Sequence, residues 1–139
     1  MAKWIADDVV LTVNGIDLSD HVDSVDVSEE YQVKEATGMG ATSIQKLLSK
    51  AKMSTITVEF INDYAASKVF ATLKPLAGSN TAFTVTAKPT SATVSATNPL
   101  ATLMAVLPKF SGISGQYGEV GKTPVVFECG DQTGIVWTP

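Results

Sequence analysis

At 139 residues the chain is of one-domain length and can bury a hydrophobic core, and 45% hydrophobic against 17% charged residues excludes a disordered polymer. The lone Cys129 excludes an intrachain disulfide and agrees with a reducing compartment. The net charge of −4 is unevenly spread: nine of the fourteen acids lie within residues 1–35, eight of the ten lysines lie within residues 46–122, and there is no arginine, the residue that specific nucleic-acid readers lean on.

The stretch Met1–Asp8 has no apolar core of signal-peptide length, and the longest apolar run, Leu103–Leu107, is far too short to span a membrane. The expectation is a protein made, kept or assembled in a cytoplasm. Val9–Val13 is a short apolar run, and Asn14-Gly15 after it is the strongest two-residue hairpin signal. In "HVDSVDV" the spacing slips between Val22 and Val25, which predicts a bulge or a turn. "EYQVKEA" places Tyr31 and Val33 on one face and Gln32 and Lys34 on the other, the pattern of a half-buried strand. Ahead, "STITVEFI" alternates Ile56, Val58 and Phe60 with Thr55, Thr57 and Glu59, a clear strand.

Between those strands lies an oversized connection, residues 36–53. Ile44, Leu47, Leu48 and Ala51 fall at i, i+3, i+4 and i+7, which predicts one short helix with Lys46, Lys50 and Lys52 on its wet side. Gly38 and Gly40 supply a pliable base. Two readings follow: a flap over the domain's own core, or an arm that orders against a neighbouring subunit, with Met39, Ile44, Leu47 and Leu48 as anchors and the lysines facing an acidic partner. The glycines favour the arm.

Asn62 or Asp63 is expected to cap an amphipathic helix through Ala66, Val69, Phe70 and Leu73, ended by Pro75 and lying on a sheet. "AFTVTAK" is another alternating strand. Pro89 and Asn98-Pro99 bracket a short strand or extended connection, and Leu100–Phe110 is a strand candidate with Leu103, Ala105 and Leu107 on one face. "SGISGQYG" is a flexible turn, followed by strands at Val125–Cys129 and Ile135–Trp137. The fold class is mainly β: a sandwich or barrel of about eight strands with one flanking helix and a long loop between early strands, in a single domain over 1–139.

No catalytic set emerges. His21 is the only histidine, and its neighbours Ser19 and Asp20 alternate faces in extended chain, so they form no relay. Cys129 reads as a small buried hydrophobe, and one His with one Cys makes no zinc site. The acids Asp17, Asp20, Asp23 and Asp26 lack the glycine and terminal glutamate of a calcium loop. "GMGATS" has Ser43 where a dinucleotide loop needs its third glycine, with no βαβ pattern around it. No enzyme, metal or cofactor is expected, and function is expected to lie in surfaces.

Across nearly the whole chain, "VNGIDLSDHVDSVDV", "YQVKEATGMGAT", "STITVEFINDYAASKVFATLKPLAG", "FTVTAKPTSATVSATNP" and "TPVVFECGDQTGIVWT" together resemble the major tail tube proteins of long-tailed, siphophage-like bacteriophages. The resemblance implies a virion tail protein, assembled in the host cytoplasm, that forms stacked hexameric rings. Strands of neighbouring copies would join into the tube wall, and DNA would pass through the lumen without specific binding during ejection. It also implies tape-measure, terminator and distal-tail proteins as further partners, no membrane, and a loop over 36–53 that reaches a neighbour in the same or the adjacent ring. A slippery conduit should repel phosphates, which makes Asp20, Asp23, Asp26, Glu29, Glu30 and Glu35 candidate lumen acids. The competing reading is a capsid-decoration or Ig-like adhesion domain.

Overall fold

A computed structural model describes residues 3–139; Met1 and Ala2, part of the stretch read for a leader, lie outside them. Eight strands run in the order β1 (Val10–Val13), β2 (Ile16–Asp17), β3 (Val22–Glu35), β4 (Lys46–Ile61), β5 (Phe83–Lys88), β6 (Leu100–Val106), β7 (Lys122–Cys129) and β8 (Val136–Thr138). One short helix, α1 (Val69–Leu73), lies between β4 and β5. All pairings between these strands are antiparallel, in one sheet ordered β2-β1-β5-β6-β7-β4-β3, with β8 added on β6. The mainly β fold class read from the sequence is the one observed.

Local sequence sets the strands. Asn14 (φ +51°) and Gly15 (φ +83°) both take the left-handed backbone that a tight hairpin turn demands, joining β1 to β2. In β4, Ile56, Val58 and Phe60 are wholly buried while Thr55, Thr57 and Glu59 face away from the core. The same alternation in β5, β6 and β7 sends Val85, Leu103 and Phe127 into one apolar cluster, with Phe83 packed edge-on to Phe127 at 5.9 Å. Each such side chain removed from water contributes about 1.5–3 kcal/mol before entropy is counted.

The spacing slip in "HVDSVDV" is a bulge: pairing shifts between Val22↔Phe60 and Ser24↔Glu59, leaving Asp23 over.

Two expectations fail. The segment read as a helix from Asn62 or Asp63 is helical only over Val69–Leu73, and its N-cap position is Lys68, with no side-chain cap bond. Asp63 instead accepts the Ala65 N–H at 2.9 Å, folding Asn62–Lys68 into turns, so Ala66 never joins the helix. The second failure concerns 36–53. No helix forms there: Lys46–Met53 belongs to β4, and only residues 36–45 form the connection. The apolar helical spacing is accommodated in a strand because pairing with β3 jumps from Tyr31↔Lys52 to Val33↔Leu48, so that Ser49–Ala51 oppose the single Gln32.

Candidate assembly surfaces

β4 pairs with β7 only from Thr55 to Ile61, whereas its pairing with β3 runs on to Glu35↔Lys46. Beyond Thr55 the two strands therefore leave the sheet as a two-stranded ribbon with no third strand beside it. Tyr31, Val33, Ile44, Leu47, Leu48 and Met53 are exposed on this ribbon, and Met39 at its tip is fully exposed. "EYQVKEA" is thus a strand, but not a half-buried one: residues 30–35 are all exposed. Leu47 and Leu48 point to opposite faces, so neither face buries apolar surface within this chain. At the tip, Ala41 N–H donates to the Gly38 carbonyl at 3.3 Å, with Gly40 at φ +84° as the residue that requires glycine. Gly38 has no positive φ, and pliability at a base is not what either glycine provides. They form the turn at the far end.

The root of the ribbon is fastened by the C-terminal strand. The Lys52 ammonium donates to a Glu29 carboxylate oxygen and to the Ile135 carbonyl (3.1 Å). The Trp137 indole N–H donates to the other Glu29 oxygen at 2.5 Å, and Ile135 N–H donates to Ser54 Oγ at 3.3 Å. Bonding from Lys52, then from Trp137, holds the Glu29 carboxyl below the usual carboxylate range, and the bond to Glu29 raises Lys52 above its ordinary value. Lys52 and Glu29 are consequently parts of one latch. Neither is a free charge awaiting a partner, in contrast to Lys46 and Lys50, which are exposed and outside any ion pair among the described residues.

The remaining candidate acids separate by face. Cross-strand rows Ser24–Glu59–Pro124, Asp26–Thr57–Val126 and Ser28–Thr55–Glu128 run over β3, β4 and β7 on the side away from the core, and Glu30 continues this face opposite Met53. Asp26, Glu30, Glu59 and Glu128 make no ion pair among the described residues. Asp23 meets Lys122 at 3.3 Å at the end of this face. Asp20 lies in the single 3-10 turn Ser19–His21, and Glu35 pairs across the ribbon with Lys46 on the other face. Of the six candidates, Asp26 and Glu30 therefore lie on the polar face outside any ion pair among the described residues and Asp23 sits at its end paired with Lys122; Glu59 and Glu128, absent from the expectation, join them. Their placement follows from strand register between segments up to about a hundred residues apart, which no local pattern carries.

The residue types that tempted a catalytic reading are accounted for structurally. His21 Nε2 bonds Asp63 Oδ2 at 2.7 Å, tying the 3-10 turn to the loop before α1. Bonding from Ala65 N–H, then from His21, lowers the Asp63 carboxyl. Cys129 is half-buried at the end of β7, its thiol directed at the Asp131 carbonyl at 3.0 Å. No group of three or more His, Cys, Asp or Glu is placed to hold a metal among the described residues, and no helix among them is long and apolar enough to cross a membrane.

Comparison with known protein families gives no match, and no curated protein matches the sequence. Solved structures do match. The cryo-EM structure of the sheath/tube terminator of an extracellular contractile injection system, PVC, in its extended state contains a chain that aligns with TM-score 0.72 at 10% identity, covering 99% of this chain and 97% of that one. A chain of the PVC sheath-tube complex in the extended state aligns with TM-score 0.68 at 10% identity, covering 98% and 91%. The fold is shared with chains of this contractile injection system. The Dit protein of phage SPP1, described as a paradigm of hub adsorption apparatus in phages infecting Gram-positive hosts, aligns with TM-score 0.50 at 16% identity over 89% of this chain; this chain spans half its length. At these identities the likeness is one of fold.

Proposed function

We propose that the chain is a structural subunit of a phage tail or phage-tail-like tube, a one-domain protein that self-assembles into stacked hexameric rings. The observation that carries this reading is the β3–β4 ribbon. A soluble monomer gains nothing by holding Tyr31, Val33, Leu47, Leu48 and Met53 in water on both faces of a ribbon latched at its root. A second copy that covers them gains the burial. The near-complete alignment with chains of sheath-tube assemblies supports the same reading, and the resemblance of the sequence to siphophage-type major tube proteins points the same way. Head-to-tail contacts of this kind close into rings or continue as filaments, and pairing between copies removes the free β3 edge.

Within such a tube, the β3–β4–β7 face bearing Asp26, Glu30, Glu59 and Glu128 is the best lumen wall, because unpaired carboxylates repel phosphates and let DNA slide. Tape-measure, terminator and distal-tail proteins are the further partners of this reading, and the virion tail is its location.

Negative-stain microscopy of the purified protein tests it. The intact chain is expected to form rings or tubes. A variant in which Gln32–Ala51 is replaced by a short Asn-Gly turn, joining Tyr31 to its cross-strand partner Lys52, is expected to remain a folded monomer. Tubes from the shortened variant would overturn the role of the ribbon. Monodisperse intact protein that binds capsids would favour the decoration reading instead.

A further inference from the structure

The two ends of β3 differ in a way that specifies how copies engage. At its far end is the exposed ribbon. Near its start, the strand is the terminal one of the sheet, and β1 and β2 at the other end of the sheet order do not pair with it. The unpaired seam is a groove, apolar in one part and mixed in the other. One part, of about 270 Å³, is walled by Trp4, Val9, Val25, Val27 and Trp137; a second part of about 290 Å³ shares the walls Trp4, Val9 and Val25 and extends past Val22 to Ser19 and Ser24. Both tryptophans remain about half exposed, and Val22, Val25 and Val27 are only partly buried against the core. The groove is rimmed by Asp7, Asp23 and Asp26, with Lys88 at one end.

We infer that this groove is the socket for the ribbon tip of a second copy of the chain, residues 38–48. The chemistry is complementary. The tip offers Met39 and Ile44 on an uncharged segment followed by Lys46, with Lys50 and Lys34 behind, and the groove offers aromatic and valine walls with a carboxylate rim. The occupant cannot be the chain's own tip. From Val27 to Glu35 the paired strand runs outward for eight residues, about 26 Å at the strand rise of about 3.3 Å per residue. The latch of Glu29, Lys52 and Trp137 fixes the root along that path. Plug and socket thus stand at opposite ends of one strand, and each copy offers a tip to one neighbour and a groove to another. The contact is heterologous and propagates. This inference rests on the self-assembly reading and adds to it the receiving surface.

The test is cross-linking between copies in a Cys129→Ser background. One preparation carries Ser43→Cys at the tip, a second Ser24→Cys at the groove, and a third Thr84→Cys on the exposed face of β5 as a control; all three positions are exposed. Preparations are mixed pairwise, assembled, treated with a short bis-maleimide and also examined by microscopy. The expected result is rings or tubes in every mixture, with a heterodimer between Ser43→Cys and Ser24→Cys and its loss when Thr84→Cys replaces Ser24→Cys. Tubes in which the tip links to Thr84→Cys, or to neither position, overturn the socket and leave the assembly reading intact. Absence of rings and tubes from the intact chain overturns the assembly reading, and the socket with it.

Discussion

Substituting Gly134 by alanine isolates how the C-terminal strand holds the ribbon. Gly134 has φ +73°, and a Cβ there would lie 2.8 Å from Ser54 Oγ and 2.9 Å from Lys52 Cε. The left-handed backbone costs a non-glycine residue about 1–2 kcal/mol. Lys52 is long and can swing its methylene aside, but Ser54 is buried and short. Its hydroxyl must turn away and give up the hydrogen bond from Ile135 N–H, worth about 1 kcal/mol. The sum is about 2–3 kcal/mol, or a fall in Tm on the order of 10 °C for a chain of this length. Urea unfolding followed by tryptophan fluorescence measures it, preferably on the short-turn variant so that assembly does not intervene. The decisive comparison is the same substitution in a Ser54→Ala background. There the hydroxyl is already gone, so only the backbone cost of about 1–2 kcal/mol remains and the two sites couple by about 1 kcal/mol. Equal costs in both backgrounds would refute the steric argument. So would a Gly134→Ala effect below about 0.5 kcal/mol, the range of an inconsequential surface change.

Four further outcomes are expected. Glu29 has a folded-state carboxyl lowered from 4.5, so its contribution is present above pH 4.5 and is lost as pH falls through the lower folded value; Glu29→Gln should flatten that acid limb in pH-dependent urea titrations. Thr72 Oγ1 is buried without a partner among the described residues, so Thr72→Val should stabilise the chain by about 1 kcal/mol in thermal unfolding; a loss would show that the hydroxyl is satisfied. Phe127 is wholly buried against Phe83, and Phe127→Ala should cost about 3–5 kcal/mol by chemical denaturation. Glu59→Lys with Glu128→Lys should leave tubes intact but make them retain DNA in a salt-sensitive manner in a co-sedimentation assay; tubes that stay indifferent to DNA would remove this face from the lumen.

The strands that build the core were legible because a half-buried strand must alternate, and the alternation of Ile56, Val58 and Phe60 is written in adjacent residues. Asn14-Gly15 was legible for a similar reason: the backbone it needs is local chemistry. The ribbon was misread because nothing buries it within the chain. An exposed strand with a wide bulge is under no demand to alternate, so Ile44, Leu47, Leu48 and Ala51 were free to imitate a helix. The capping of α1 failed differently. Asp63 is a fitting cap by type, but its carboxylate is taken up by Ala65 N–H and His21, partners that depend on the turn geometry and on contact with the 3-10 turn.

By itself, the sequence settled what depends on neighbours a few residues away: the β class, the hairpin turn, a bulge or turn between Val22 and Val25, and an outsized apolar and lysine-bearing excursion between β3 and β4. Tertiary structure decided everything that depends on register between distant segments. It bound Glu29 to both Lys52 and Trp137 and so removed the two charges from the free surface. Strand pairing also set Glu59 and Glu128 in rows with Asp26 and left an apolar seam at the start of the very strand whose end carries the ribbon. Such placements arise from pairings formed only when remote strands meet, and no window of adjacent residues encodes them.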